Sequence, residues 1–147
     1  MPTYVCFAYP DRLTPGQMEK IAEAITRVHS EEAVAPGYLV QVVFQPLAAS
    51  RHFVGGAPGP QGQIWIRGDI RAGRTEAQRT RLQLRLAEEV GAIAGSAPED
   101  LWIYLNEMQP RNMMEFGHLL PEPGAEGEWF RALPENLRTR LGRLSAR

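Results

Sequence analysis

Hydrophobic and polar positions along the chain switch between a period of two and a period near 3.6. From Thr3 to Tyr9 the residues Thr-Tyr-Val-Cys-Phe-Ala-Tyr are mostly β-branched or aromatic and stop at Pro10-Asp11, which predicts a strand closed by a turn. Thr14-Pro15-Gly16-Gln17 then reads as a capping box, with Thr14 as the cap, Pro15 at the first helical position and Gln17 at the third. Met18, Ile21, Ala22, Ile25 and Val28 recur at helical spacing with His29 beside the apolar face, until Pro36-Gly37 ends the pattern. Tyr38 to Gln45 reads as a second strand. Pro46 opens a Gly/Pro-rich connection with a short hairpin at His52 to Val54.

The same grammar then recurs. Gln63 to Ile70 reads as a strand, Thr75-Glu76-Ala77-Gln78 as a second capping box, Leu82, Leu86, Val90 and Ile93 as a helical stripe, and Leu101 to Glu107 as a strand. Adding 61 to the numbering superposes Thr14 on Thr75, Gln17 on Gln78, Ile21 on Leu82, Ile25 on Leu86, Val40 on Leu101 and Phe44 on Leu105. This points to an ungapped β-α-β duplication over residues 2–45 and 63–107. The expected fold is α/β, layered as α+β: one domain over residues 1–147, with a four-stranded mixed sheet carrying both helices on one face. A C-terminal arm over residues 118–147 holds the Trp129-Phe130 pair and a last amphipathic helix from Pro134. The uncovered sheet face, with Val40, Val42, Trp65 and Ile66 expected to need cover, predicts a closed homo-oligomer.

Composition narrows the function classes. In 147 residues, 16 basic and 17 acidic side chains leave a net charge of −1, so no basic excess points to a nucleic-acid partner. No apolar run approaches the roughly 20 residues of a membrane span, and Met1-Pro2-Thr3 does not open a signal peptide, so a cytoplasmic protein without a membrane partner is expected. The single cysteine, Cys6, excludes an internal disulfide and a Cys-rich zinc site. His29, His52 and His118 lack metal-ligand spacing, so no metal is expected. Ser30 and Ser50 lack a nucleophile elbow, and the glycines near Gly55 do not run from strand into helix as a phosphate loop does.

A few residues could carry chemistry. Removal of Met1 would expose Pro2 as a secondary amine whose pKa, about 7.7–8.0 for a free α-amino group, would fall on burial beside Val5 and Phe7. Such an amine is an acid or base near neutrality, whereas Pro2 behind a retained Met1 merely starts an edge strand. Arg71 and Arg74 bracket the start of the second helix, where backbone N–H groups and guanidinium forks favour a carboxylate or phosphate. As solvated loop residues they would do nothing. Glu115 sits among apolar neighbours in Met113-Met114-Glu115-Phe116-Gly117, either as a carboxylate with a raised pKa or as a surface residue. Tyr104 could be a core aromatic and His29 a hydrogen-bonded helix residue; neither is specific alone.

Taken together, the whole chain resembles the tautomerase superfamily, and within it the cis-3-chloroacrylic acid dehalogenase-like group. The resemblance rests on Pro2 behind Met1, Asp11-Arg12-Leu13-Thr14-Pro15, His29, the Arg71-x-x-Arg74 pair, Trp102-Ile103-Tyr104, Glu115 with Gly117, and the long stretch from Leu120 to Phe130. It implies a homotrimer working without a cofactor on a small carboxylic acid. In the dehalogenase mechanism it implies, His29, Arg71 and Arg74 hold the carboxylate, Glu115 and Tyr104 activate water for attack at C3, and protonated Pro2 delivers a proton to C2, giving malonate semialdehyde. The segment Ser30 to Val40 and His118, where an Arg is expected, depart from the group's pattern. The activities in view are therefore tautomerisation of 2-oxo acids such as phenylpyruvate together with hydration or dehalogenation of cis-3-haloacrylates. A non-catalytic trimeric binding or interaction protein that keeps the scaffold is the alternative.

Overall fold

The computed structural model describes residues 2–145. Strand β1 (Thr3–Ala8) leads to helix α1 (Pro15–Ala33), a 3₁₀ turn at Gly37–Leu39 and strand β2 (Gln41–Pro46). A two-residue hairpin, β3 (Phe53–Val54) with β4 (Ala57–Pro58), precedes β5 (Ile64–Arg71), α2 (Glu76–Ala94) and β6 (Leu101–Met108). A second small hairpin, β7 (Met114–Glu115) with β8 (His118–Leu119), is followed by α3 (Glu126–Ala132) and α4 (Glu135–Ser145). The main sheet has the order β2-β1-β5-β6: β1 runs parallel to β2, β5 parallel to β6, and the central pair β1 and β5 is antiparallel. Among the described residues no helix is long and apolar enough to cross a membrane.

Both helices start as their capping boxes dictate. The hydroxyls of Thr14 and Thr75 accept from the backbone N–H of Gln17 and Gln78, and each glutamine returns the bond to the cap's own N–H. α1 stops at Val34, which takes a left-handed conformation at φ 50°, and Pro36 then keeps Ala35 out of helical backbone. The helices pack on one face of the sheet, where Tyr4, Cys6 and Ala8 of β1 and Ile64, Ile66 and Ile70 of β5 meet Ile21, Ile25 and Val28 of α1 and Leu82, Leu86 and Val90 of α2.

Three details differ from the sequence-based expectation. Tyr38 and Leu39 lie in the 3₁₀ turn rather than in β2, because the chain leaves Pro36-Gly37 in a tight turn and Val40 bonds back to Gly37 before the ladder begins. Val40, Val42 and Ile66 belong to the helix-covered core. The bare face instead carries Val5, Phe7, Val43, Trp65, Trp102 and Tyr104, with the Phe7 and Trp65 rings stacked 4.6 Å apart and Tyr104 edge-on to Trp65 at 5.8 Å. The repeat is also not ungapped: α1 and α2 begin and end 61 residues apart, but the helix-facing positions are even-numbered in both β1 and β5. An odd shift would turn every side chain of that strand to the other face, so the first strands need an even offset.

Candidate active site

Pro2 is buried at the entry to β1, where its carbonyl accepts from the Gln41 N–H at 3.0 Å. It shares a small cavity with His29, Ala35, Leu39, Arg71 and Arg74. Its neighbours are therefore not Val5 and Phe7, which alternate to the opposite face of the strand. Met1, whose removal decides whether Pro2 is an amine, lies outside the described residues.

His29 faces the core about one turn before the end of α1 and is 1% exposed. Its Nδ1 lies 2.8 Å from the hydroxyl of Tyr4, which is itself fully buried. Burial, with Arg74 and Arg71 nearby, pulls the imidazole pKa down to about 3, so the ring is neutral. Burial also raises the Tyr4 pKa well above the usual tyrosine value. The hydroxyl thus keeps its proton and donates it to Nδ1, which leaves His29 with its own proton on Nε2. Tyr4 is a site residue that the sequence reading missed, and Gly68 carries the signal for it. A Cβ there would sit 2.6 Å from Tyr4 Cε1, so a glycine inside β5 marks where the Tyr4 ring crosses the neighbouring strand.

The arginines are not solvated. Arg71, at the end of β5, is 6% exposed; its Nη1 donates to the Pro121 carbonyl at 2.6 Å and its Nη2 to the Glu126 carboxylate. Arg74 is 8% exposed and donates to the carbonyls of Arg71 at 3.3 Å and of Ala33 at 3.2 Å. Burial and the neighbouring Arg71 lower its pKa, but a guanidinium stays charged across the accessible range. Each guanidinium has five N–H groups, so anchoring by two leaves donors free for an anion.

Glu115 lies in β7, at the edge of a depression of about 700 Å³ that also contains Tyr38, Met108, Met113 and Phe116. Leu39 lines both this depression and the Pro2 cavity, so the two adjoin. The β7–β8 turn places Phe116 and Gly117 at φ 51° and 80°, the two left-handed residues of a tight hairpin turn. A phenylalanine there is strained, and the Arg140 guanidinium covers its ring at 5.9 Å. Burial raises the Glu115 pKa above the usual carboxylate value. Tyr104 stands apart, 53% exposed on the bare sheet face, in register with Arg67 and lining neither cavity. Among the described residues no three His, Cys, Asp or Glu side chains gather as metal ligands.

The chain's residues 1–133 match the family model described as "Putative oxalocrotonate tautomerase enzyme". The chain belongs to this tautomerase family. Within the superfamily it falls in the cis-3-chloroacrylic acid dehalogenase group: a solved member of that family is 40% identical over 96% of this chain and 99% of its own, with a TM-score of 0.92. A fused 4-OT described as a symmetric trimer aligns with 82% of this chain and 97% of its own at 22% identity and TM-score 0.73. FG41 malonate semialdehyde decarboxylase, inhibited by 3-bromopropiolate, aligns over 90% and 99% at 20% identity and TM-score 0.68. These two share the fold. No curated protein matches the chain.

Proposed function

We propose that the chain, once Met1 is removed, is a cofactor-independent enzyme of small unsaturated or 2-oxo carboxylic acids, with Pro2 as its proton carrier. The observation that carries this reading is that Pro2, His29, Arg71 and Arg74 line one cavity, two buried cations and a neutral imidazole facing the buried Pro2. Such a donor set suits a carboxylate. The cavity has about 10 Å³ of open space, too little for more than the tip of a ligand, so the body of a ligand extends past Leu39 toward Glu115.

On a cis-3-haloacrylate, the N–H donors of Arg71, Arg74 and His29 draw electron density toward the carboxylate as water adds at C3, stabilising the enediolate charge. Glu115 accepts a proton from that water, and its raised pKa makes it the better base. The protonated Pro2 amine gives a proton to C2, forming a 3-halo-3-hydroxy acid, which loses halide and its hydroxyl proton to leave malonate semialdehyde. On the enol of a 2-oxo acid the carboxylate is held in the same way, Pro2 moves a proton between the enol oxygen and C3, and no water is consumed.

The bare sheet face supports a homotrimer, as does the trimeric assembly described for the fused 4-OT of the same fold. Trp65 Nε1 is buried without a hydrogen-bond partner among the described residues, and Trp102 and Tyr104 are exposed on the same face. Tyr104 lies four residues along β6 from Met108, the partner of Arg71, or about 13 Å at strand rise, so it serves the reaction from a neighbouring copy. The test is purified protein whose intact mass lacks one Met, assayed with cis-3-chloroacrylate and with phenylpyruvate enol. Turnover of either supports the reading. Protein with a free Pro2 amine that converts neither substrate, while remaining a folded trimer, points instead to a scaffold used for binding alone.

A further inference from the structure

The arm segment from Leu120 to Phe130 contributes none of the six site positions, yet it folds directly onto one of them, Arg71, and onto the loop glycine beside it. Gly73, between Arg71 and Arg74, has φ 107°, and a Cβ there would meet Pro123 Cγ at 2.8 Å, so the arm rests on a loop that only glycine fits. Two groups of the arm then close on Arg71: the Pro121 carbonyl accepts from Nη1 and a Glu126 oxygen from Nη2. The other Glu126 oxygen accepts from the Gly124 N–H at 2.8 Å, which fixes the carboxylate from behind. The pair is nearly out of water, with 6% of the Arg71 side chain and 13% of the Glu126 side chain exposed. Burial opposes ionisation of Glu126, but the bonds from Arg71, its own backbone N–H and Gly124 outweigh it, so the carboxyl lies below the usual carboxylate range and is charged at neutral pH.

We propose that Glu126 is the positioning residue for Arg71, holding its guanidinium so that the remaining N–H groups face the Pro2 cavity. Two buried guanidinium groups three residues apart repel each other, and Arg74 is anchored only on neutral carbonyls. A fixed carboxylate on the outer side of Arg71 offsets that repulsion and prevents the side chain from swinging out to solvent. It leaves the arginine pair itself with one net positive charge, and a carboxylate on the cavity side of that pair is attracted to it. The role of the arm is thus to complete the anion site from outside, acting through Arg71 and not touching the substrate.

This inference rests on the cavity being the carboxylate site, and the experiment separates the two. Wild type, Glu126→Gln, Glu126→Asp and Arg71→Ala are compared for binding of propanoate, an unreactive carboxylate, and for KM and kcat on whichever substrate the wild type turns over. Glu126→Gln is expected to weaken propanoate binding and raise KM by about tenfold or more while kcat stays within about threefold, the pattern of lost binding common to ground and transition states. Glu126→Asp, which keeps the charge, is expected to fall between wild type and Glu126→Gln. Should Glu126→Gln fail to fold, a raised KM with retained kcat in Glu126→Asp supports the role, and an unchanged KM there overturns it. Binding that is unchanged or tighter in folded Glu126→Gln, while Arg71→Ala weakens it, overturns the positioning role and leaves the site standing. Unchanged binding in Arg71→Ala overturns the carboxylate site itself and this inference with it.

Discussion

His29 couples the stability of this protein to mild acid. Its folded pKa of about 3 lies below the unfolded histidine value of about 6.5, so the unfolded chain takes up a proton that the native chain refuses. The contribution is therefore fully present above about pH 6.5 and is lost as pH falls, at about 1.4 kcal/mol per unit for one proton, until the native group titrates near about pH 3. Between about pH 7.5 and about pH 5 the loss amounts to about 2 kcal/mol. The comparison is with His29→Gln, whose amide oxygen can accept from Tyr4 and whose NH2 can donate in place of Nε2–H, without a titrating group. Urea unfolding of both proteins at one chain concentration isolates the term, because Glu126 and the other carboxylates titrate alike in both. If wild type and variant lose stability in parallel to within about 0.5 kcal/mol over that range, the buried neutral imidazole is refuted.

The other expectations follow from the same geometry. Arg74→Ala removes one buried donor of the anion site and should weaken carboxylate binding by about 2–5 kcal/mol, read from KM or a competitive inhibitor, with unchanged kinetics refuting its role. Glu115→Gln should lower hydration or dehalogenation by about 10²–10⁴-fold and affect 2-oxo acid tautomerisation much less, checked by assaying both reactions on one preparation. Tyr4→Phe leaves Nδ1 of His29 buried without a donor and should cost about 1–3 kcal/mol in denaturant unfolding, where removal of a solvated hydroxyl would cost almost nothing.

Much of the fold is legible because its signals are local. Thr14 with Gln17 and Thr75 with Gln78 mark both helix starts within four residues, and the apolar stripes fix which helix faces meet the sheet. The strand faces were harder. Val42 and Val43, or Trp65 and Ile66, are equally apolar neighbours, and which of each pair turns to the helices depends on the one-residue phase of the strand, which composition does not encode. At the site, residue types suggested acids, bases and cations, but their partners lie far apart in sequence. Tyr4 meets His29 across 25 positions and Arg71 meets Glu126 across 55, beyond the reach of any helical or strand period. Gly68 and Gly73 were the available clues, since each stands where another part of the chain passes too close for a Cβ.

The two β-α-β halves differ at the end of the molecule that holds the candidate site. The two halves tie themselves together reciprocally: Gln17 Nε2 donates to the Ile93 carbonyl at 3.0 Å and Gln78 Nε2 to the Glu32 carbonyl at 3.3 Å. An arginine also caps each helix C-terminus, Arg12 on Ala94 and Arg74 on Ala33, where a cation is favoured by the helix dipole. Behind these shared contacts the ends diverge. The helix position 61 residues from His29 is Val90, and the loop position 61 residues from Arg74 is Leu13, both buried in the apolar core. Putting an imidazole and a guanidinium where the other end has valine and leucine gives up apolar contact, and each buried polar group left unpaired would cost about 1–3 kcal/mol or more. Tyr4 supplies the partner for His29, and the Ala33 and Arg71 carbonyls supply those for Arg74. The arm is present once and sits at the polar end, where Gly73 leaves room for Pro123. Gly73 lies 61 residues from Arg12, whose side chain reaches across to the C-terminal end of α2. One end is therefore packed by its own side chains, while the other is left open enough for a separate segment to finish it around the Arg71 and Arg74 pair.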